Sequence, residues 1–455
     1  MGPRGLSLGA APSGAARRLF GTDGVRGVAG EFLTAELALS LARAATARVA
    51  RSDGRAPRVL IIRDTRESGE MLESAVAAGV AAAGGEALLG GILPTPGAPL
   101  LIARHGFDLG VVLSASHNPY RDNGIKFFGG DGYKLSDATE AEIEAALEEP
   151  FPTPEHPGRV RAFHGALEDY LRALQERFED LDLTGRRILL DCANGATFRA
   201  APEIFRRLGA DIGVLAHEPD GRNINANSGS THMQRLIAGI QAGDDEIGFA
   251  FDGDGDRMLA VDRTGAVVDG DELIALAAIH LRESGRLPGN GVAVTVMTNY
   301  GFHTSMAEHG VEVATTAVGD RYVLEALRER DWALGGEQSG HIIDRNFVPS
   351  GDGIASALLT LEALAGGDLA DRHGMEKLPQ TLVNVKVRDR EALQHAAEVH
   401  EAVGRESAAL EGRGRVLLRP SGTEPLVRVM VEAPTETEAQ ATCARLVALV
   451  EAELG

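Results

Sequence analysis

Short apolar segments rich in β-branched residues recur along this chain, and each one stops abruptly at a polar loop. Residues 59–62, 111–113 and 247–251 are examples, and helical patterns lie between such segments over about 34–50 and 70–83. Strands that alternate with helices favour an α/β fold with a largely parallel or mixed sheet. Ligands of such sheets lie beyond the carboxyl ends of the strands, so we expect several of these loops to converge on one crevice.

Length, charge and cysteine content narrow the class of protein. With 455 residues the chain is too long for one core, and four prolines within residues 150–158 indicate a stiff linker at a first domain boundary. The net charge of −21 argues against nucleic acid and membrane surfaces as partners, and an anionic substrate would need a local basic pocket or a metal. Cys192 and Cys443 lie in apolar contexts typical of free thiols. Residues 1–17 are rich in Ala, Gly and Arg and lack acidic side chains, as in an organelle transit peptide, but they show no amphipathic pattern. We therefore expect a disordered extension and predict a cytoplasmic protein.

The strongest chemical signal is the segment FDGDGDR, in which aspartates alternate with glycines. Because the side-chain period of an extended segment is two, Asp252, Asp254 and Asp256 project to one side. These carboxylates repel one another unless a hard divalent cation binds them, and oxygen ligands suit Mg²⁺ or Ca²⁺. An EF-hand is excluded, since it requires glycine and glutamate where this loop has Arg257 and Arg263. We interpret the loop as a Mg²⁺ site.

A second loop carries serine and histidine at the end of a strand. The apolar residues 111–113 give way to Ser114, Ser116 and His117, and the loop closes with Pro119, which cannot continue a central strand. On these residues alone two interpretations stay open. The loop is either a nucleophile on a rigid support or a surface turn that contains a serine and a histidine.

Three more glycine-containing loops carry polar side chains. The turn GGEQSGH, residues 335–341, suits a polyhydroxylated ligand. The segment RPSGTEP, residues 419–425, together with Arg428, combines hydroxyls, a glycine and two arginines and indicates a phosphate-binding loop. Near the N-terminus, Thr22 and Arg26 are potential donors in a glycine-rich turn. An ordinary turn stays the alternative for each, and no Walker A or GxGxxG motif indicates nucleotide binding.

Together these loops resemble the α-D-phosphohexomutase superfamily from about Arg18 to the C-terminus, and their wording is similar to its phosphoglucosamine mutase branch. The resemblance rests on LFGTDGVRG (19–27), SASHNP (114–119), DNGIKFF (122–128), PDGRNIN (219–225), DGDGDR (252–257), VGDRYV (318–323), GGEQSGH (335–341) and RPSGTEPLVRVM (419–430). These motifs are long, and they occur in the order of the family. One departure is Pro420, where many relatives carry lysine.

The resemblance implies a role for each loop. Ser116 matches the phosphoserine, and its phosphate would complete the shell of one Mg²⁺ per subunit held by Asp252, Asp254 and Asp256. Further catalytic positions are His117, Lys126, His341 and Arg257, with Lys126 and His341 as candidates for the proton acceptor. The substrate-binding positions are Thr22, Arg26, Glu337, Ser339, Arg419, Ser421, Gly422, Thr423 and Arg428.

The family fold is a four-domain α/β architecture around a central cleft. Three similar α/β domains with mixed sheets precede a smaller α+β C-terminal domain. We therefore expect domains over residues 18–155, 156–257, 258–372 and 373–455, after the extension 1–17. A fourth domain that closes over the substrate is expected as well.

The implied reaction interconverts glucosamine 6-phosphate and glucosamine 1-phosphate through a phosphoserine enzyme and a 1,6-bisphosphate. Glucosamine 1,6-bisphosphate or glucose 1,6-bisphosphate would prime the enzyme, and the product would feed amino-sugar precursor synthesis for the cell wall. A homodimer is one possible oligomeric state. Three alternatives remain at this point: a preference for glucose or mannose phosphates, a metal-dependent serine phosphatase, and a non-catalytic sugar-phosphate or Ca²⁺ binding protein.

Overall fold

A computed structural model describes residues 19–21, 23–49, 55–148, 150–151, 154–420 and 425–455. Four sheets of six, five, four and three strands divide this part of the chain into units I to IV. None of the described helices is long and apolar enough to cross a membrane. The predicted four-domain α/β architecture is confirmed.

Unit I contains a mixed six-stranded sheet with the strand order β1-β5-β4-β2-β3-β6. Its elements are β1 (Val25–Val28), α1 (Ala35–Arg48), β2 (Arg58–Arg63), α2 (Ser68–Ala82), β3 (Glu86–Ile92), α3 (Gly97–His105), β4 (Leu109–Leu113), β5 (Asp122–Gly129), α4 (Asp137–Ala146) and β6 (Arg159–Ala162). Strands β4, β2, β3 and β6 are parallel, whereas β5 returns antiparallel to β4. The loop with Ser116 is therefore the connection of a β-hairpin at the carboxyl end of a central strand.

Unit II contains a five-stranded sheet with the order β11-β10-β9-β7-β8. Its elements are α5 (Ala166–Arg177), β7 (Arg187–Asp191), α6 (Thr197–Arg207), β8 (Asp211–Leu215), α7 (Gln234–Ala242), β9 (Ile247–Phe251), β10 (Met258–Asp262) and β11 (Val267–Val268). The aspartate loop joins β9 to its antiparallel neighbour β10.

Two of the domain boundaries expected from sequence separate strands that the structure pairs. The boundary after Arg257 divides β9 from β10, and the boundary after Glu155 divides β3 from its parallel partner β6. Sequence patterns miss both because pairing depends on backbone hydrogen bonds between segments and not on the local composition of the connecting loop. We propose instead that unit I extends through β6 and unit II through β11.

Unit III contains a four-stranded sheet with the order β13-β12-β14-β15. Its elements are α8 (Gly270–Glu283), a 3₁₀ turn (Pro288–Asn290), β12 (Gly291–Thr295), α9 (Tyr300–Glu308), β13 (Glu312–Thr316), α10 (Asp320–Arg330), β14 (Leu334–Gly336), β15 (Ile342–Asp344), α11 (Gly353–Leu364) and a second 3₁₀ turn (Leu369–Asp371). The GEQSGH loop connects β14 to antiparallel β15. It therefore repeats the arrangement of the serine and aspartate loops.

Unit IV is smaller and packs two helices on an antiparallel sheet with the order β16-β18-β17. Its elements are β16 (Gln380–Lys386), a 3₁₀ turn (Glu391–His395), α12 (Ala397–Ala409), β17 (Arg415–Pro420), β18 (Leu426–Glu432) and α13 (Glu436–Leu454). Strands β17 and β18 flank the predicted phosphate-binding loop, whose residues 421–424 lie outside the described part of the chain.

Units I to III share one apolar core, and unit IV has a core of its own. One large cluster contains residues of units I, II and III, such as Leu60, Phe249 and Leu358. The main cluster of unit IV, which includes Val429 and Leu446, is separate from it. Burial of apolar area thus fixes the loops of the first three units relative to one another.

Candidate active site

The β4–β5 hairpin places Ser116 in a left-handed backbone conformation (φ 51°) with only 2% of its surface exposed. Its backbone N–H donates to the hydroxyl of Ser114 at 2.9 Å. The Ser116 hydroxyl donates to Oδ2 of Asp252, in unit II, at 2.5 Å. The predicted nucleophile and the predicted metal loop are therefore in direct contact, although 136 residues separate them.

The three aspartates are buried, and one carboxylate oxygen from each lies within 4.8 Å of the other two. Burial, followed by the neighbouring Asp256 and Asp254, raises the pKa of Asp252 well above its usual range. Oδ1 of Asp254 and Oδ1 of Asp256 are buried and have no hydrogen-bond partner in the described part of the chain. Unsatisfied, convergent oxygens of this kind fit a hard divalent cation such as Mg²⁺.

Gly253 explains why glycine alternates with aspartate in this loop. A Cβ atom at this position would lie 2.5 Å from the carbonyl oxygen of Ser116 and 2.7 Å from the side-chain nitrogen of Asn225. Any larger residue would push the aspartate loop away from the serine hairpin.

Lys126 projects from β5 into the aspartate cluster and is 1% exposed. Its Nζ lies 2.8 Å from Oδ2 of Asp254 and 3.0 Å from Oδ2 of Asp23. Burial on its own lowers the pKa of Lys126, but the carboxylates of Asp23 and Asp254 outweigh burial and raise it. As an ammonium group, Lys126 has no lone pair with which to accept a proton.

His341, the other candidate proton acceptor, is also engaged in this structure. Its Nε2 accepts a hydrogen bond from the backbone N–H of Gly351 at 3.2 Å, and its Nδ1 lies 3.6 Å from Oδ1 of Asp256. Burial on its own lowers the pKa of His341, but Asp256 and Asp320 outweigh burial and raise it. The Gly351 bond requires a lone pair on Nε2, and its donor is held in place by the backbone.

His117 and Arg257 lie on either side of this centre. Nδ1 of His117 is 3.3 Å from the Ser116 hydroxyl, and burial, helped by the charges of Arg257 and Arg26, lowers the pKa of this imidazole. Nε of Arg257 is buried, has no hydrogen-bond partner within the described ranges, and lies 3.8 Å from Oδ1 of Asp256. Both side chains therefore lie next to the Ser116 hydroxyl or the aspartate cluster.

A cavity of about 720 Å³ opens beside Ser116 and is bounded by units I, II and III. The predicted site residues Arg26, Ser116, Asp256, Arg257, Glu337 and His341 line it. The Glu337 carboxylate accepts a hydrogen bond from the backbone N–H of Gly319 at 3.0 Å, whereas Ser339 is exposed and is not among the lining residues. One loop of unit III thus faces the serine across the cavity.

The two predicted phosphate-binding arginines lie opposite each other on neighbouring strands. Arg419 of β17 pairs in register with Arg428 of β18, and Nε of Arg428 is buried with no hydrogen-bond partner among the residues that the structure describes. Burial and the charge of Arg428 lower the pKa of Arg419. Neither arginine lines the cavity in this structure. Thr22, Ser421, Gly422 and Thr423 fall outside the described residues.

Several side chains at the centre carried no predicted role. Asp23 pairs with Arg26, Lys126 and Lys134, and Lys134 also contacts Asp320 at 2.6 Å. The loop after β2 also contributes a buried arginine, Arg66, which binds the serine hairpin. The signal was partly available, since Asp23 and Asp320 lie within the motifs LFGTDGVRG and VGDRYV.

Comparison with known proteins agrees with the resemblance drawn from the motifs. A phosphoglucosamine mutase of Saccharopolyspora erythraea is 50% identical over 442 residues, which cover 96% of this chain and 99% of that protein. A phosphoglucomutase/phosphomannomutase family protein of Burkholderia thailandensis has a crystal structure that superposes with a TM-score of 0.80 at 25% identity, covering 95% of this chain and 97% of the other. The structure of Aspergillus fumigatus N-acetylphosphoglucosamine mutase, in complex with GlcNAc-6P and magnesium, superposes with a TM-score of 0.66 at 18% identity and covers 96% of each chain.

Family models that describe phosphoglucomutase/phosphomannomutase domains match nearly the whole chain. Domain I matches residues 17–152, domain II 168–265, domain III 269–383 and the C-terminal domain 382–449. Their order follows the four sheets of the structure. The chain belongs to the phosphoglucomutase/phosphomannomutase family.

Proposed function

We propose that this enzyme is an isomerase that interconverts glucosamine 6-phosphate and glucosamine 1-phosphate through a phosphorylated Ser116. The contact between the Ser116 hydroxyl and the buried aspartate cluster carries the proposal, because it places a nucleophile beside a cation site at the edge of a cavity. The relative that is 50% identical over nearly its full length is a phosphoglucosamine mutase, which supports glucosamine over glucose or mannose as the sugar.

The reaction consists of two balanced phosphoryl transfers. Phospho-Ser116 first gives its phosphoryl group to the free C1 hydroxyl of glucosamine 6-phosphate, which yields the 1,6-bisphosphate and a free serine. The bisphosphate then turns over in the cavity, and Ser116 takes the phosphoryl group from C6 to leave glucosamine 1-phosphate. A hexose 1,6-bisphosphate primes an unphosphorylated enzyme by the second of these steps.

The aspartates of the metal loop would hold one Mg²⁺ together with the Ser116 phosphate. When bound, this ion neutralises charge on the transferred phosphoryl group. The unsatisfied oxygens of Asp254 and Asp256 support the assignment, and a family relative of the same fold binds magnesium together with a sugar phosphate.

The remaining residues of the site orient the sugar and the transferred group. Glu337 and Ser339 are proposed to bind sugar hydroxyls. Lys126 and Arg257 supply positive charge near the phosphoryl group, and His117 lies against the serine hydroxyl. Proton acceptance by Lys126 or His341 requires that sugar binding displace the contacts in which each is engaged.

The phosphate that is not transferred is proposed to bind in unit IV, at Arg419, Arg428 and residues 421–423, while Thr22 and Arg26 act from the opposite wall. Closure of unit IV over the cavity would bring these groups to the substrate and exclude water, which would otherwise hydrolyse phospho-Ser116. Its separate core supports such a movement. The two cysteines are free and buried, as in proteins of reducing compartments such as the cytoplasm.

Intact mass of the purified protein before and after phosphatase treatment tests the proposal. We expect one removable phosphate, its absence in Ser116→Ala, and loss of at least about 1000-fold in turnover with that variant. Ser74→Ala, which removes a hydroxyl from the exposed side of α2, is the matched control and should keep both.

Substrate choice is measured with glucosamine, glucose and mannose 6-phosphates, each with a bisphosphate primer. Faster turnover of glucose or mannose phosphate would overturn the assignment of the sugar. Phosphate release faster than isomerisation would instead support a serine phosphatase, and unchanged behaviour of Ser116→Ala a binding protein.

A further inference from the structure

Arg66 is a fully buried arginine that binds the backbone of the serine hairpin. Its Nε pairs with Oδ2 of Asp64 at 2.8 Å, and both side chains have no exposed surface. Its remaining donors reach four backbone carbonyl oxygens of the hairpin, those of Ser116 (2.9 Å), Asn118 (2.9 Å), Pro119 (2.5 Å) and Asp122 (3.0 Å). Apart from the Nε bond to Asp64, the side-chain hydrogen bonds of Arg66 thus all go to the loop that carries the nucleophile.

Asn225 of unit II binds two of the same carbonyl groups from the other side. Its side-chain nitrogen donates to the carbonyl oxygens of Ser116 at 2.9 Å and Asn118 at 3.1 Å. Asn225 itself has a left-handed backbone (φ 59°), which asparagine tolerates better than most residues. The two side chains, from different units, form a carbonyl clamp on the hairpin.

The clamp acts on a residue whose backbone needs support. A serine in the left-handed region is strained relative to ordinary backbone conformations. On the amide side, the hydroxyl of Ser114 accepts the N–H of Ser116 and donates to Asp64, the partner of Arg66. Both sides of the Ser116 backbone are thus tied to one buried ion pair.

We propose that Arg66 and Asn225 are positioning residues that hold Ser116 in its left-handed conformation, so that its phosphoryl group is aimed in line with the sugar hydroxyl. This inference rests on the proposed function and adds the groups that orient the nucleophile. Neither residue lines the cavity, so both would act on the sugar only through the hairpin.

Glycine substitutions in one loop provide a matched test. Asn225→Gly removes the donor while keeping a residue that accepts a positive φ. Asn227→Gly makes the same substitution two residues further on, where φ is 53°. The Asn227 side chain is exposed and makes no hydrogen bond to the hairpin within the described residues. We expect a fall in kcat of about 10–100-fold for Asn225→Gly, with KM for glucosamine 6-phosphate within about twofold. Asn227→Gly should match the wild type in both constants.

A second measurement separates positioning from loss of structure. If the clamp aims the phosphoryl group, the phosphoenzyme of Asn225→Gly forms fully from glucose 1,6-bisphosphate, yet transfers to the sugar slowly in a single turnover. Arg66→Lys keeps the charge beside Asp64 but reaches fewer carbonyl groups, and it should show the same defect. Equal single-turnover rates for Asn225→Gly and Asn227→Gly would overturn the clamp and leave the mutase intact, whereas a wild type without phospho-Ser116 would overturn the proposed function itself.

Discussion

At the scale of single residues, the arginine pair of unit IV makes an unusual prediction. Arg419 and Arg428 face each other across β17 and β18, and like charges in such positions are destabilising without an anion between them. Arg428→Gln should therefore raise KM for glucosamine 6-phosphate by about 10–100-fold, because a charge-assisted hydrogen bond is lost. The same change should leave the melting temperature of the free enzyme unchanged or slightly higher. Steady-state kinetics and thermal unfolding measure the two effects.

Arg413→Gln is the control for this prediction. Arg413 is half exposed at its side chain and pairs with Glu438 on the surface, so its loss should leave KM unchanged. A fall in melting temperature for Arg428→Gln without a change in KM would contradict the assignment, since it would mean that Arg428 stabilises unit IV and binds no phosphate.

The residues that sequence alone singled out are those with local chemical signatures. The alternating aspartates of FDGDGDR predicted a carboxylate cluster, and the structure shows one. Asp23 lies within a recognised motif but received no role, and Arg66 lies in none of these motifs, because the importance of both arises from partners in other strands and loops. Lys126 was predicted at the site, but its pairing with two carboxylates follows only from the fold.

At the scale of elements, the first turn of α8 contains a buried carboxyl group, Asp271, whose titration should make stability depend on pH. Asp271 is fully buried there, and burial, followed by the charge of Asp269, raises its pKa to about 7. The folded state therefore binds this proton more tightly than the unfolded state. Stability falls as the pH rises from about 4 to 7, and the penalty is complete above pH 7.

Asp271→Asn removes the charge and keeps an oxygen that can accept the N–H of Asn299, which donates to this side chain at 2.9 Å. We expect the variant to be more stable than the wild type, by about 1 kcal/mol more at pH 8 than at pH 6. Asp180→Asn, at an exposed position, removes the same charge from the chain and should show no such difference. A gain that is independent of pH would contradict the raised pKa.

The hydrophobic period predicted the bounds of the first two helices to within a few residues. The helix expected over 34–50 is observed as Ala35–Arg48, where the Thr34 hydroxyl caps the first turn. The helix expected over 70–83 is observed as Ser68–Ala82. Sheet membership was harder, because β6 joins its sheet by hydrogen bonds to β3, a strand far earlier in the chain.

At the scale of the whole molecule, the apolar clusters separate the serine and aspartate loops from the arginine pair of unit IV. Units I to III share one apolar cluster, so Ser116, the aspartates and Glu337 are held in fixed relation. Unit IV has its own apolar cluster and forms hydrogen bonds with unit III. Arg415 donates to the carbonyl oxygens of Val296 and Thr298, and the Glu432 carboxylate accepts the N–H of Tyr300. Polar contacts of this kind permit a domain to move without exposing a core.

This division predicts that unit IV can be removed without unfolding the remainder. A chain that ends at Pro379 keeps every residue of the shared cluster and loses Arg419 and Arg428. We expect it to unfold cooperatively near the temperature of the full chain and to lose at least about 100-fold in turnover, since the phosphate that is not transferred has no partner. Residues 380–455, added as a separate polypeptide, should restore part of the activity at high concentration. Circular dichroism and the mutase assay measure these outcomes. An unfolded truncated chain would show that unit IV is part of the common core. A fully active one would show that unit IV is dispensable for phosphate binding.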